Sequence, residues 1–230
     1  MDFGSRLRIV RINGFDTEWG RADAAAMAAA LAGGARFDAL LVPKVNSPSD
    51  LEAVAELVPG VDLWAMMETA AGMLNASAIA GHPRLRGMVM GTNDLAKELG
   101  ARFRPDRLPM QAGLGLCVLA AKAHGRTIVD GVYNAFKDDE GLRAECEQGR
   151  DMGFDGKTLI HPAQLAVANT AFAPSEAEID LARRQIAAFD EVLATGGGVA
   201  VVDGRIVENL HVATARALLS RAAAIAALAE

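Results

Sequence analysis

The sequence predicts an α/β protein built on parallel strands, and three observations carry that expectation. Short β-rich runs alternate with helical runs along most of the chain, which implies parallel pairing through right-handed crossovers. The strand runs are apolar on both faces, as strands covered from both sides must be. The 230 residues are 51% hydrophobic and 23% charged, the balance of a globular chain. A chain of this length buries about 70% of its unfolded surface and folds without a metal or a disulfide.

The elements follow in order. Residues 7–13 (LRIVRIN) read as a strand and the Ala-rich residues 23–31 as a helix. Residues 38–43 are the next strand. Ser47, Pro48 and Asp50 then supply an N-cap, a first-turn proline and an acid at the third position, which start a helix over 51–57. Residues 61–67 are a strand, 72–80 a short helix and 86–90 a strand. After a loop, 108–124 are helical, 127–132 a strand, 140–152 a helix and 155–160 the sixth strand. Ser175 to Glu178 cap a helix that runs to Ala194, and Gly196, Gly197 and Gly198 end it as a hinge rather than a phosphate loop. Asp203-Gly204 suits a type I′ turn between strands at 199–202 and 205–207. An Ala/Leu helix spans 211–228. Residues 1–173 are expected to form the barrel domain and 174–230 a helix–hairpin–helix extension.

Composition excludes several classes. The net charge is −6 with no basic cluster, which argues against a nucleic-acid partner. No apolar run reaches the roughly 18–20 residues of a membrane span, and residues 1–11 hold no apolar signal core, so a cytoplasmic protein is expected. Cys117 and Cys146 form no CxxC pair, which argues against a disulfide framework or structural zinc.

In a parallel barrel the reactive groups gather at the carboxyl ends of the strands. Those ends carry Arg11 and Asn13, Lys44, Glu68, Asn93 and Asp94, Asp130 with Tyr133 and Asn134, and His161. Glu68 and Asp94 suit a hard divalent cation, since Mg²⁺ takes one or two carboxylates and completes its octahedron with water and substrate oxygens. No HxxxH or HxH spacing points to zinc. Arg11 suits bidentate capture of a carboxylate. Plain structural alternatives stand beside these readings. The two acids could serve helix dipoles, Arg11 could be a barrel-interior ion pair, and His161 before Pro162 could simply cap a helix. Lys44 could form a Schiff base, but a solvated loop lysine fits at least as well.

The segments LVPKVNSPSDLE (41–52), METAAGMLNA (67–76), GTNDLAKELG (91–100), IVDGVYNAFKDDEGLRAEC (128–146) and GFDGKTLIHPAQ (153–164) resemble the citrate lyase β-subunit-like family of the HpcH/HpaI aldolase superfamily. That family includes malyl-CoA, methylmalyl-CoA and citramalyl-CoA lyases. The resemblance runs from Leu7 onward, with five blocks in family order and spacing. It implies a TIM-type (β/α) barrel, Mg²⁺ dependence, and homo-oligomers, often trimers or hexamers. It implies Glu68 and Asp94 as metal ligands, Arg11 as the carboxylate clamp, and Ile160 and His161 near the substrate thioester; Asn93, beside Asp94 at its strand end, is a further candidate for substrate binding. Two departures follow. The family opens with two further βα units, so about six of its eight strands are expected here. Its C-terminal hairpin carries an Asp that reaches a neighbouring subunit as acid/base, where this chain has Glu208. The extra methylene moves that carboxylate by roughly 1 Å, a displacement that can cost about 10²-fold in rate.

The expected activity is therefore Mg²⁺-dependent carbon–carbon cleavage of a 3-hydroxyacyl-CoA thioester into a short acyl-CoA and a 2-oxo acid such as pyruvate, oxaloacetate or glyoxylate. Two alternatives remain. One is a pyruvate-releasing aldolase on a free 4-hydroxy-2-oxo acid, against which residues 175–230 argue. The other is a non-catalytic binding or assembly subunit, favoured by the missing strands and disfavoured by the intact Arg11, Glu68 and Asp94.

Overall fold

The computed structural model describes residues 3–4 and 6–228. The chain divides into two compact units, Met1–Ala171 and Phe172–Glu230.

The first unit is a six-stranded sheet of β1 (Ile9–Arg11), β2 (Ala39–Val42), β3 (Asp62–Met67), β4 (Leu85–Met90), β5 (Thr127–Asp130) and β6 (Gly156–Lys157). The strands lie in chain order and every neighbouring pair is parallel. Among the described residues β1 and β6 do not pair, so both remain edges. Between the strands run α1 (Gly20–Ala32), α2 (Pro48–Leu57), α3 (Ala70–Leu74), α4 (Ala76–Ala80), α5 (Thr92–Glu98), α6 (Gln111–Ala123) and α7 (Asp139–Met152), with α8 (Leu165–Phe172) after β6. No helix among the described residues is long and apolar enough to cross a membrane.

Local sequence explains the helix ends. Ser47 and Asp50 close a capping box on α2, with Pro48 in its first turn. Asp138 Oδ1 accepts the Gly141 N–H at 2.9 Å to start α7, and Gly153, at φ 100°, ends it. One expectation is corrected and two helices are added. The helix at 72–80 is two helices that meet at Asn75. Helices α5 and α8 have no residue range in the sequence reading. Helix α5 is seven residues, TNDLAKE, too short and too polar to show a 3.6-residue period. Helix α8 is a short apolar run that continues a 3-10 turn over Pro162–Gln164, and that turn is capped by the His161 side chain.

Both faces of the sheet are covered by apolar side chains. Leu40, Leu63, Met88 and Ile128 point one way and are fully buried, each worth roughly 1.5–3 kcal/mol of burial. Ala39, Trp64 and Val89 point the other way and pack with Leu41, Met66 and Val129. A register shift between Leu63 and Trp64 sets that second face. Leu63 pairs with Leu85 but Trp64 with Gly87, which skips Arg86. Trp64 therefore meets a glycine, whose Cβ, if present, would lie 2.6 Å from the indole ring. The same shift carries forward to put Gly91 beside Glu68.

The second unit contains α9 (Glu176–Ala194), the antiparallel hairpin β7 (Ala200–Val202) and β8 (Arg205–Val207), and α10 (Asn209–Ala227). Asp203 and Gly204 both have positive φ, 50° and 73°, as a type I′ turn requires. Phe189, Ala200, Val207 and Val212 form its core.

Candidate active site

One cavity of about 180 Å³ gathers Arg11, Asn13, Asp16, Lys44, Glu68 and Asp94. These residues end or follow β1 to β4, so the cavity lies at the carboxyl end of the sheet. Arg11 pairs in register with Leu41, and Leu41 with Trp64, which places all three on one face. Glu68 continues the alternation of Trp64 and Met66 onto that face.

Glu68 is buried, only 4% exposed. Its Oε1 accepts the Lys44 backbone N–H at 2.8 Å. Lys44 has φ 48°, a conformation that costs a non-glycine residue on the order of 1–3 kcal/mol. Gly91 makes the room for Glu68. A Cβ at that position would collide with both Cβ and Oε2 of Glu68. Gly91→Ala is therefore expected to displace the carboxylate and cost about 1–3 kcal/mol in denaturant unfolding. Wild-type stability in that variant would show that Glu68 moves freely.

Asp94 stands in the first turn of α5, exposed at the cavity mouth. Burial pushes the Glu68 carboxyl up from its ordinary value of 4.5, while the Lys44 N–H draws it down. Asp94 raises it further through like charge and a hydrogen bond between the two carboxyl groups, and Arg11 opposes this. Two carboxyl groups forced together, one of them desolvated, favour a cation between them. Oxygen donors without histidine or cysteine suit a hard ion such as Mg²⁺ rather than zinc. Among the described residues no group of three or more His, Cys, Asp or Glu side chains converges. Water and substrate oxygens would have to supply the remaining ligands.

The raised Glu68 value gives a pH dependence with a definite sign. Folded Glu68 keeps its proton to higher pH than unfolded Glu68, so without a cation stability falls as pH rises from 4.5 through the raised value. A cation competes with that proton. Mg²⁺ affinity is expected to rise by up to about tenfold per pH unit across the window and to level off above it. Calorimetry over a pH series measures this, and a pH-independent affinity would show that Glu68 is not a ligand.

Other residues singled out by sequence lie elsewhere. Asn93 lines a neighbouring cavity of about 380 Å³, where its amide exchanges hydrogen bonds of 3.1 and 2.8 Å with Asn134. Consecutive residues of α5 thus face two cavities. The Ile160 N–H donates to Gln164 Oε1 at 3.0 Å, and its side chain is exposed. His161 accepts the Ala163 N–H on Nδ1 at 3.1 Å and stacks on Phe136 at 4.7 Å. Neither Ile160 nor His161 lines the Arg11 cavity. Glu208 is exposed in the second unit, before α10, with its backbone N–H donating to His211 Nδ1 at 3.0 Å.

Asp130 is the clearest departure from the ring of strand-end polar groups. It pairs in register with Lys157, on the face opposite Val129. Arg107 Nη1 reaches both its oxygens at 2.7 Å, Lys157 Nζ lies 3.1 Å away, and the Gly131 N–H donates at 2.8 Å. Lys157 also donates to Glu145 at 2.6 Å and Arg107 to Gln148 at 2.7 Å. This is a buried ion cluster under α7. Sequence reasoning missed Arg107, and it missed Asp16 and Thr17, which line the cavity from the loop after β1. No local pattern marks any of the three.

A parallel α/β sheet with its charged cavity at the strand carboxyl ends defines a protein of the barrel-enzyme class. Comparison with known proteins narrows the class. The family model for HpcH/HpaI aldolase/citrate lyase matches residues 3–162, and the chain belongs to that family. A (3S)-malyl-CoA thioesterase of Cereibacter sphaeroides (strain ATCC 17029 / ATH 2.4.9) is 74% identical over 227 residues, 99% of this chain and 78% of the relative. An L-malyl-CoA/beta-methylmalyl-CoA lyase of Rhodobacter capsulatus is 32% identical, covering 96% and 78%. The structure of CitE from Mycobacterium tuberculosis in complex with magnesium, acetoacetate and coenzyme A superposes with a TM-score of 0.79 at 31% identity, covering 94% of this chain and 78% of that one.

Proposed function

We propose that the chain, with Mg²⁺, hydrolyses the thioester of a malyl-type 3-hydroxyacyl-CoA in the cytoplasm. The observation that carries the reading is the single cavity joining Arg11 to the Glu68 and Asp94 carboxyl pair. Arg11 holds the free carboxylate of the hydroxy acid through its paired N–H groups. Glu68 and Asp94 hold the cation. Bound there, Mg²⁺ supplies a Lewis acid that polarises the substrate oxygens. The Lys44 N–H keeps Glu68 Oε1 fixed, which leaves Oε2 and Asp94 for the ion. We assign the exposed Ile160 and His161 to the CoA side of the thioester, beyond the Arg11 cavity, Asn93 to substrate positioning, and Glu208 of a neighbouring copy in a homo-oligomer to proton transfer. The 74% identity to a relative named as a thioesterase supports hydrolysis ahead of carbon–carbon cleavage.

Cleavage to a 2-oxo acid and acyl-CoA is the second reading. It is supported by the relative named as a lyase and by a cavity whose charges equally suit a 2-oxo acid. Product analysis separates the two. Incubation with (3S)-malyl-CoA and Mg²⁺ is expected to release free thiol and malate, sensitive to EDTA. Acetyl-CoA and glyoxylate would install the lyase reading instead, and no product of either kind would sink both.

A further inference from the structure

We infer that the Lys44 ammonium is a second anion-binding group of this site, holding the end of a four-carbon hydroxy acid opposite the one held by Arg11. The inference rests on the substrate class proposed above.

The argument starts from backbone strain. Among the described residues three that are not glycine have positive φ: Lys44, Arg107 and Asp203. Asp203 sits in the hairpin turn beside Gly204, where that conformation is required. Arg107 is held by its buried guanidinium on Asp130. Lys44 has no comparable structural reason. Its backbone N–H binds Glu68, but a glycine would offer the same N–H without steric conflict at Cβ. What the chain keeps at the expense of strain is therefore the side chain.

That side chain is not occupied elsewhere. Among the described residues no carboxylate lies within 4.0 Å of its nitrogen. Lys44 stands between two cavities, lining the one that holds Arg11, Glu68 and Asp94 and also a neighbouring one with Asp16, Arg21 and Asp50, so its exposed, flexible side chain can reach the first. Two cations on one small cavity match an acid chain with a negative group at each end. In the thioester substrate the second end is the carbonyl whose oxygen gains charge as water adds, and in the product it is the new carboxylate.

Lys44→Gly tests this, because it retains the N–H to Glu68 and relieves the strain. Its melting temperature is expected to match or exceed wild type. Calorimetry with Mg²⁺ is expected to show L-malate affinity reduced about tenfold to a hundredfold, the range for a lost charged hydrogen bond. Glycolate, with one carboxylate, should bind as to wild type, and Lys44→Arg should restore part of the malate affinity. Should Lys44→Gly fail to fold, Lys44→Asn, which also tolerates this backbone, carries the same comparison. Unchanged malate affinity, or equal losses for malate and glycolate, would overturn the assignment. Wild-type protein that binds malate in this two-ended way but hydrolyses no malyl-CoA would overturn the proposed reaction and leave Lys44's role standing.

Discussion

Glu68→Gln is expected to lower kcat/KM on a malyl-CoA thioester by about 10³-fold and to erase the rise in melting temperature that Mg²⁺ produces. The substitution is nearly isosteric and keeps an oxygen for the Lys44 N–H, so the fold has no reason to change. It removes one of the two carboxylates proposed to hold the cation. Charge stabilisation by a bound metal is worth several kcal/mol in the transition state, and about 4 kcal/mol corresponds to 10³-fold. For wild type, Mg²⁺ at 100 times its Kd adds about 2.7 kcal/mol of stability; for the variant the gain should vanish. The metal-free variant should be at least as stable as metal-free wild type at neutral pH, because a desolvated charge is gone. A Glu68→Gln protein that still shows the full Mg²⁺-induced shift would place the ion elsewhere.

The largest effect on stability is expected at Asp130. Its carboxylate is fully buried and holds two buried cations, Arg107 and Lys157, together with the Gly131 N–H. Asp130→Ala leaves both cations facing a void, and breaking a buried ion cluster in this way costs about 3–5 kcal/mol. That is a large part of the roughly 5–15 kcal/mol typical of a domain. Asp130→Asn keeps an acceptor and should lose less. Because Asp130 faces α7 rather than the Arg11 cavity, the fraction that still folds should bind Mg²⁺ with wild-type affinity. Chemical denaturation and calorimetry on the same samples separate the two quantities, and a loss of Mg²⁺ affinity in the folded fraction would contradict the assignment of Asp130 to the fold.

The sequence made the strand and helix alternation legible because local chemistry writes it: Ser47-Pro48-Ser49-Asp50 carries the capping box and first-turn proline that start α2, and Asp203-Gly204 turns a hairpin. The membership of Arg11, Glu68 and Asp94 in one cavity was legible as well, since each follows an apolar strand on its carboxyl side. What stayed hidden depends on register or on distant partners. Asp130 looked like one more strand-end acid until the pairing of Asp130 with Lys157 turned it to the other face. Arg107 finds its carboxylate across a separation no local pattern spans. The skip at Arg86, which sets Gly91 against Glu68, leaves no compositional trace. The backbone angle of Lys44 is equally silent, because lysine is an ordinary residue in a loop and an unusual one only at positive φ.

The all-parallel pairing of the first unit has a consequence in time. Ile9 must find Ala39, and Val129 must find Gly156, before either ladder contributes a hydrogen bond. Each such closure loses chain entropy before contacts compensate it, and parallel sheets fold slowly for this reason. In the second unit Val202 meets Arg205 across a two-residue turn, an event of microseconds. Refolding from denaturant should therefore be biphasic, with the fast phase owed to the hairpin unit and the slow one to the sheet. During the slow phase the apolar strands lie open to one another on different chains, so the yield of native protein is set by concentration as much as by stability.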